Sequence, residues 1–232
     1  MPDDEGPGRN LTYQFDFSVV WDNMGLLLDG ALMTLQLSAL SIMAATVIAI
    51  ITLQARTSRF RLVRWIAIAY IEIIRNTPFL LQLYFFFFGL PSLGIRMNPN
   101  TAALVALALN GGAYAAEIMR GGVASIGRGQ WEAGFALGLK PLQIFRYVIF
   151  TPAMRAIYPA LTSQFILLLL TSSIASAISA SELTAVAQRL DSVTFRSFEI
   201  YFVATAMYLI MSSIFTRIFN LLDRILFSYP TR

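Results

Sequence analysis

The chain has 232 residues, of which 57% are hydrophobic and 13% are charged, and its formal net charge is +4. A soluble domain carries about 25% charged residues because its surface is hydrated, so this composition argues against a water-soluble globule. The sequence contains neither cysteine nor histidine. This excludes disulfide bonds, catalysis by thiolate or imidazole, and metal sites built on either residue. The composition therefore indicates a membrane protein and weighs against an enzyme.

Long stretches without charged residues predict the membrane-spanning helices. A helix that crosses the hydrocarbon core needs about 20 apolar residues. On this basis the sequence predicts an all-α membrane protein with a transmembrane domain at 23–226. The five predicted spans lie at about 25–54, 62–90, 98–122, 142–174 and 197–224. Residues 1–22 are predicted to form an outer tail, 123–141 a cytoplasmic loop and 227–232 a cytoplasmic tail.

The distribution of basic residues predicts the orientation of these spans. Arginine and lysine concentrate in the segments after the first and third spans and at the C-terminal end, whereas most acidic residues lie on the other side. Short loops that are rich in Lys and Arg stay in the cytoplasm. The sequence therefore predicts an outer N-terminus and a cytoplasmic C-terminus.

The second span contains charges and a proline. Glu72 and Arg75 are three residues apart, so they share one helical face and are spaced so that an ion pair can form. Thr77 precedes Pro78, which removes a backbone hydrogen bond and is predicted to kink the helix. Two interpretations stay open, a structural kink near the cytoplasmic interface or a hinge that contacts a partner. We therefore assign gating or structural roles to Arg75, Thr77 and Pro78.

The third span is rich in small residues, which allow helices to approach closely in lipid. Asn110 is followed by two glycines, and these either pack against another helix or unwind a turn beside a cavity. Tyr114 lies one turn further along. Glu117 and Arg120 are predicted to pair near the inner surface, with a gating or structural role for Glu117.

Serine residues cluster at the end of the fourth span. Their hydroxyl groups either hydrogen-bond to the helix backbone or line a hydrated path, and the sequence does not separate these possibilities. Together with two residues of the third span, the candidates for a substrate path are Asn110, Tyr114, Ser172, Ser173 and Ser176.

The cytoplasmic loop between the third and fourth spans contains a predicted short helix at 130–137. Gly138 suits its C-terminal cap, and Pro141 suits the first turn of the next helix. Trp131 and Phe135, with Leu139, follow a spacing of four residues and predict an apolar ridge. So short a helix is not stable alone. It either lies on lipid headgroups or fits a groove on a partner protein.

Four segments of the sequence resemble one family. Glu132, Ala133 and Gly138 resemble the EAA loop of ABC importer permeases. The Arg75–Pro78 segment is similar to the Arg-Gly-Thr-Pro segment of the polar amino-acid importers. The run from Ala113 to Gly122 looks like the one that precedes their EAA loop, and 181–184 resembles their outer loop before the last helix. The chain is therefore identified as a member of this family.

This resemblance implies a five-helix permease with the type I ABC importer fold in the bacterial inner membrane. It implies a second permease subunit, two cytoplasmic ABC ATPase subunits that bind the ATP and Mg²⁺, and a periplasmic or lipid-anchored protein that delivers a polar amino acid or derivative. No cofactor in this chain and no nucleic acid are expected. The residues that would couple the permease to the ATPases are Glu132, Ala133 and Gly138, with Trp131 and Phe135 as packing anchors.

The sequence departs from the family pattern at several positions. Gly134 replaces the second alanine of the EAA motif, and Asn76 stands where glycine is usual. Leu170 stands where many members carry lysine, which favours a sister subunit over an identical copy as the partner. The alternative interpretation is a stand-alone channel or secondary transporter for small polar solutes.

Overall fold

The computed structural model describes residues 13–226, which form helices and connecting turns with no β-strand among them. The predicted all-α class is therefore confirmed. Residues 1–12 of the predicted outer tail and the predicted cytoplasmic tail at 227–232 lie outside the described residues. The α-helices are α1 (Ser18–Asp22), α2 (Met24–Arg56), α3 (Arg61–Arg75), α4 (Phe79–Tyr84), α5 (Pro99–Ser125), α6 (Arg128–Ala136), α7 (Pro141–Ile144), α8 (Phe150–Thr171), α9 (Leu183–Thr194) and α10 (Ser197–Leu226).

Shorter helical turns extend or connect these helices. Phe85–Gly89 and Phe145–Ile149 are π-helical, and the second of these joins α7 to α8. Leu90–Leu93 and Ser172–Ile178 are 3₁₀ turns that follow the first π-helical turn and α8, respectively.

Four helical segments are long and apolar enough to cross a bilayer. They are α2, α5, the run Pro141–Ile178 that contains α7 and α8, and α10. A fifth span results if α3 is counted together with Phe79–Leu93, although the two meet at an angle of 111°. The spans predicted at 25–54, 98–122, 142–174 and 197–224 end within about one turn of the observed helices.

The break at Pro78 is sharper than a kink. α3 ends at Arg75, and Pro78 adopts an extended conformation (φ −62°, ψ 134°) immediately before α4. Proline has no backbone N–H and disfavours helical geometry at the preceding residue. The span predicted at 62–90 with a kink at Pro78 thus corresponds to two helices that meet at a steep angle.

Small residues bring α5 close to α2 and α8. A Cβ atom on Gly111 would lie 2.4 Å from Cδ1 of Leu168, and one on Gly112 would lie 2.6 Å from Cγ2 of Ile48. α5 continues as a regular helix through both glycines. The packing interpretation of Gly111 and Gly112 is therefore confirmed. The alternative, an unwound turn beside Asn110, does not form.

A buried acidic side chain fixes the start of α9. The Glu182 carboxylate accepts hydrogen bonds from the backbone N–H groups of Thr184 (2.8 Å) and Ala185 (2.7 Å), as a helix N-cap does. Burial raises the pKa of this carboxyl above its usual range, although these hydrogen bonds oppose the shift. Thr34 of α2 accepts a 3.0 Å hydrogen bond from the backbone of Leu183. The Thr34 contact holds the start of α9 against α2.

Candidate functional site

The loop helix α6 ends in a tight reversal of the chain. Gly138 has a positive φ of 74°, a conformation that glycine adopts without strain. Its N–H donates to the carbonyl of Phe135 (2.9 Å), and the N–H of Leu139 donates to that of Gly134 (3.1 Å). This pair of bonds is the Schellman motif. The observed helix begins two residues earlier than predicted, while the cap at Gly138 and the helix start at Pro141 agree with the prediction.

One face of α6 packs on the segment that leads into α8. Trp131 and Leu139 pack against a cluster formed by Ile144, Ile149 and Ala153. Gly134 is buried, and a Cβ atom there would lie 2.7 Å from Cγ1 of Ile144. The glycine that replaces the second alanine of the motif thus lets α6 approach α7 closely.

The opposite face of α6 is exposed. Phe135 is 53% exposed and Leu137 is 78% exposed, and Glu132 and Ala133 are also exposed. Of the predicted ridge, Trp131 and Leu139 pack within the chain, whereas Phe135 is exposed. The helix ends at Ala136, so Leu139 returns to the core through the chain reversal rather than through the helical repeat, and Phe135 faces outward.

The break between α3 and α4 is held by an amide network. The Gln82 side-chain nitrogen donates to the carbonyls of Ile74 (2.8 Å) and Thr77 (3.1 Å). Its oxygen accepts a hydrogen bond from Asn110 of α5 at 3.1 Å. Asn110 therefore lies beside the break, where it connects α5 to Gln82. The sequence analysis did not assign a role to Gln82, although an amide within an apolar segment was a signal.

Two side chains near this break do not pair with each other. The Arg75 guanidinium lies over the ring of Tyr114, 5.3 Å from its centroid, in a cation–π geometry. The Glu72 carboxylate accepts instead from Asn76 at 3.0 Å. None of the ion pairs found within 13–226 joins Glu72 to Arg75, so the pair that their spacing allows does not form. The Thr77 hydroxyl donates to the Ile73 carbonyl of the preceding turn.

An ion cluster joins the cytoplasmic ends predicted for α2 and α5. The Glu117 carboxylate accepts two hydrogen bonds from Arg120, at 2.9 and 2.5 Å, which confirms the predicted pair. Its other oxygen lies 2.5 Å from Arg56 Nη1. Hydrogen bonds between a guanidinium and a carboxylate are among the stronger ones in proteins, so the contact of Glu117 with Arg56 ties the two helices together.

The predicted substrate-path residues do not meet at one place. Ser172 is buried, and its hydroxyl donates to the Leu169 carbonyl at 2.6 Å. This agrees with the interpretation in which the serine hydroxyls hydrogen-bond to the helix backbone. Ser176 accepts a 3.3 Å hydrogen bond from Gln188 of α9. Asn110 and Tyr114 lie at the α3–α4 break. Of the five candidates, only Ser173 lines the cavity described next.

A cavity of about 330 Å³ lies between the end of α8, α9 and α10. Its wall contains five hydroxyl groups and three apolar side chains, none of them charged. Leu170, at the position discussed above for lysine, is part of this wall. Within 13–226 no three His, Cys, Asp or Glu residues are grouped so that they could hold a metal ion. The lining residues are Leu170, Ser173, Thr184, Ala187, Tyr201, Ala204, Thr205 and Tyr208.

Comparison with known proteins decides the family. Residues 39–227 match the family described as binding-protein-dependent transport system inner membrane component. The chain belongs to this family. The resemblance found in the sequence is thereby confirmed.

Named relatives match over nearly the whole chain. The glutamine transport system permease protein GlnP of Escherichia coli (strain K12) is 39% identical over 213 residues, which cover 91% of this chain and 97% of the relative. The octopine transport system permease protein OccM of Rhizobium radiobacter is 36% identical over 90% of this chain and 89% of the relative. The L-cystine transport system permease protein TcyB of Bacillus subtilis (strain 168) is 34% identical over 97% of both chains.

Solved structures share the fold of this inner membrane component. A chain from a crystal structure of an amino acid ABC transporter with histidines superposes with a TM-score of 0.86 at 35% identity, covering 91% of this chain and 99% of the other. A chain of the inward-facing MetNI methionine ABC transporter gives a TM-score of 0.73 at 21% identity, with the same coverage. The type I importer permease fold is therefore shared.

Proposed function

We propose that this chain is the permease subunit of an ATP-driven ABC importer that carries polar amino acids or their derivatives across the bacterial inner membrane. The observation that carries the proposal is the family match over residues 39–227. The substrate class is supported by relatives named for glutamine, octopine and L-cystine, each an amino acid or a derivative of one.

The exposed face of α6 is the proposed contact with the ATPases. Glu132 and Ala133 lie on this face, and Phe135 adds an apolar side chain to it. Trp131 and the reversal at Gly138 fix the helix to the rest of the chain. The sequence contains no G-x-x-x-x-G-K-[ST] phosphate loop. ATP and Mg²⁺ are accordingly assigned to the partner subunits, and this chain catalyses no reaction.

The proposed assembly contains two cytoplasmic ABC ATPases, a sister permease subunit rather than an identical copy, and an outer amino-acid-binding protein that is periplasmic or lipid-anchored. Closure of the ATPases would displace α6. The close contact of Gly134 with Ile144 then passes this displacement to α7 and α8. Nucleotide shifts the population between two conformations because the ATPases bind them differently.

The remaining predicted residues receive roles within this cycle. The α3–α4 break, which contains Thr77 and Pro78, is the proposed hinge, and Arg75 over Tyr114 links it to α5. Asn110 connects the same break to α5 through Gln82. Ser173 contributes to the proposed substrate cavity. Ser172 and Ser176 stabilise the turn beside it.

The test is co-expression with the candidate ATPases, followed by purification and uptake of radiolabelled L-glutamine into proteoliposomes. We expect uptake that requires ATP and the binding protein. Glu132→Ala should abolish ATPase co-purification or uptake, whereas Gln130→Ala, an exposed polar position on the same helix, should preserve both. Uptake without ATP by this chain alone would instead support a channel or secondary transporter.

A further inference from the structure

Helix α3 presents three different faces, of which the first packs on the rest of the chain. Ala67 and Ile71 are buried, and Ile71 belongs to a hydrophobic cluster with residues of α2, α5 and α8. The Tyr70 hydroxyl donates to the Leu109 carbonyl of α5 at 2.6 Å. This face of α3 is therefore fixed to the transmembrane helices.

The second face of α3 is apolar and exposed. Its side chains recur at intervals of three and four residues, which places them on one side of the helix. Leu62 is 73% exposed and Trp65 is 64% exposed. An exposed apolar face of this kind marks contact with a membrane or with another protein. The other members of this face are Ile66, Ala69 and Ile73.

The third face of α3 is basic at its start. Arg61 and Arg64 are three residues apart and exposed, and the exposed Arg59 lies just before the helix. The sequence has no acidic residue between positions 30 and 71, and none of the ion pairs found within 13–226 involves these three arginines. Near the other end of α3, Glu72 and Arg75 balance each other in charge. The excess positive charge is therefore confined to the first turn and the residues before it.

The direction of α3 places these faces at the edge of the membrane. The segment Phe79–Leu93 packs against α5, which is long enough to span the bilayer, and α3 meets that segment at 111°. α3 therefore runs closer to the membrane plane than to the membrane normal. A helix with arginine on its polar face and with Trp and Leu on its apolar face lies in the membrane interface, where its apolar side chains enter the acyl region.

We propose that the start of α3 binds the headgroups of anionic phospholipids in the cytoplasmic leaflet, with Arg59, Arg61 and Arg64 on the phosphates and Trp65 beside the acyl chains. A guanidinium binds phosphate through two parallel N–H donors. Zwitterionic lipids carry a quaternary ammonium that offsets the phosphate, so net charge distinguishes the two kinds of lipid. A membrane interface offers negative charge and an apolar layer side by side, as the basic and apolar faces of α3 require. The inference goes beyond the proposed function, since such binding needs neither ATP nor a partner subunit.

The test is the quenching of Trp65 fluorescence by brominated phospholipids, with the purified full chain in lipid nanodiscs. Bromine on an acyl chain quenches a tryptophan only at contact, so it reports which lipid lies beside α3. Trp21→Phe and Trp131→Phe remove the other two tryptophans. Brominated phosphatidylglycerol is compared with brominated phosphatidylcholine at equal mole fractions. Each arginine near an anionic surface strengthens binding up to about fivefold, so phosphatidylglycerol should be preferred at least about tenfold.

Two variants of equal charge separate this site from the overall charge of the protein. Arg61→Gln/Arg64→Gln should reduce the preference for phosphatidylglycerol to about twofold or less. Arg217→Gln/Arg224→Gln removes the same charge from exposed positions of α10 and should leave the preference unchanged. Raising the salt concentration to about 1 M shortens the screening length to about 3 Å and should lower the preference of the parent chain. Native mass spectrometry of the chain with all its tryptophans, which counts the retained phosphatidylglycerol, is a second measurement that needs no tryptophan substitution.

Four results would overturn the proposal. Equal quenching by the two lipids would show that charge plays no part. An equal loss of preference in the α3 and α10 variants would show that the site is not at α3. Quenching by neither lipid would show that protein covers the apolar face. Loss of ATPase co-purification in Arg61→Gln/Arg64→Gln, with the lipid preference intact, would assign the basic face to a protein contact.

Discussion

Replacing Gly134 by alanine tests whether α6 is seated on α7 as the structure has it. The new Cβ atom would lie 2.7, 2.9 and 3.0 Å from Cγ1, Cγ2 and Cδ1 of Ile144. Cγ1 and Cγ2 are bonded to Cβ of a branched side chain that has little rotational freedom. Ile144 is completely buried, so its side chain cannot move away from the added methyl group without disturbing its neighbours.

The expected magnitude combines two opposing effects. Overpacking of a buried contact costs about 1–3 kcal/mol, and the higher helix propensity of alanine returns up to about 1 kcal/mol. The net loss should be about 1–2 kcal/mol, which lowers the unfolding temperature by roughly 2–8 °C for a chain of this size. Gly129→Ala is the control, because Gly129 is on the same helix with nothing within 4 Å of the added atom, and it should be neutral or stabilising.

A double-mutant cycle with Ile144→Ala makes the assay specific. That substitution alone should cost about 2–5 kcal/mol through the cavity it leaves. The added methyl group at position 134 then partly refills the space, so the two effects should be less than additive by about 1–3 kcal/mol. Thermal unfolding of the purified chain, followed by tryptophan fluorescence, measures stability, and ATP-driven uptake measures coupling.

The reasoning would be refuted by either of two results. Additive effects of Gly134→Ala and Ile144→Ala would show that the two positions do not touch. A Gly134→Ala protein as stable as Gly129→Ala would show that α6 is not packed closely on α7. If stability falls as expected but uptake is unchanged, the contact is real and the proposed transmission through it is wrong.

Three further predictions concern the transmembrane domain, each measured as the unfolding temperature of the purified chain. Gly122→Ala should be severely destabilising because the added atom would lie 1.8 Å from Cγ2 of Ile157. Gly121→Ala, with nothing within 4 Å of the added atom, should not destabilise the chain. Equal losses of stability in the two variants would contradict this packing. Glu117→Gln should lower the free energy of unfolding by about 1.5–3 kcal/mol, since it removes the charge that Arg56 and Arg120 share. Unchanged stability would mean that solvent screens the cluster. Gln82→Leu should lower the free energy of unfolding by about 1–3 kcal/mol, because it leaves carbonyls at the α3–α4 break without a donor. Unchanged stability of this variant would show that the amide network does not hold the break.

The structure also separates two kinds of glycine that the sequence presents alike. Gly138 is required by its backbone conformation, and the signal for it was local, since it follows a short helical pattern. Gly111, Gly112 and Gly134 are required by neighbours that come from other parts of the chain. Their role could not be read from the residues beside them, and for the Gly111–Gly112 pair the sequence left both packing and unwinding open.

The sequence by itself determined the features that depend on a few consecutive residues. Apolar runs set the positions of the spans, Pro78 set the place of the break, Gly138 set the end of α6, and Pro141 set the start of α7. These follow from backbone chemistry and from the length of helix that a bilayer requires. Short-range spacing also identified the contact between Glu117 and Arg120.

Only the tertiary structure decided which side chains meet across helices. Arg56 reaches Glu117 over 61 positions of sequence, Asn110 reaches Gln82 over 28, and Leu139 reaches the core because the chain reverses after α6. The cavity forms where residues of α9 and α10 meet the end of α8, and no local pattern specifies that meeting. Helices in a membrane associate through close packing and interhelical hydrogen bonds, so the faces that meet are settled when the helices assemble.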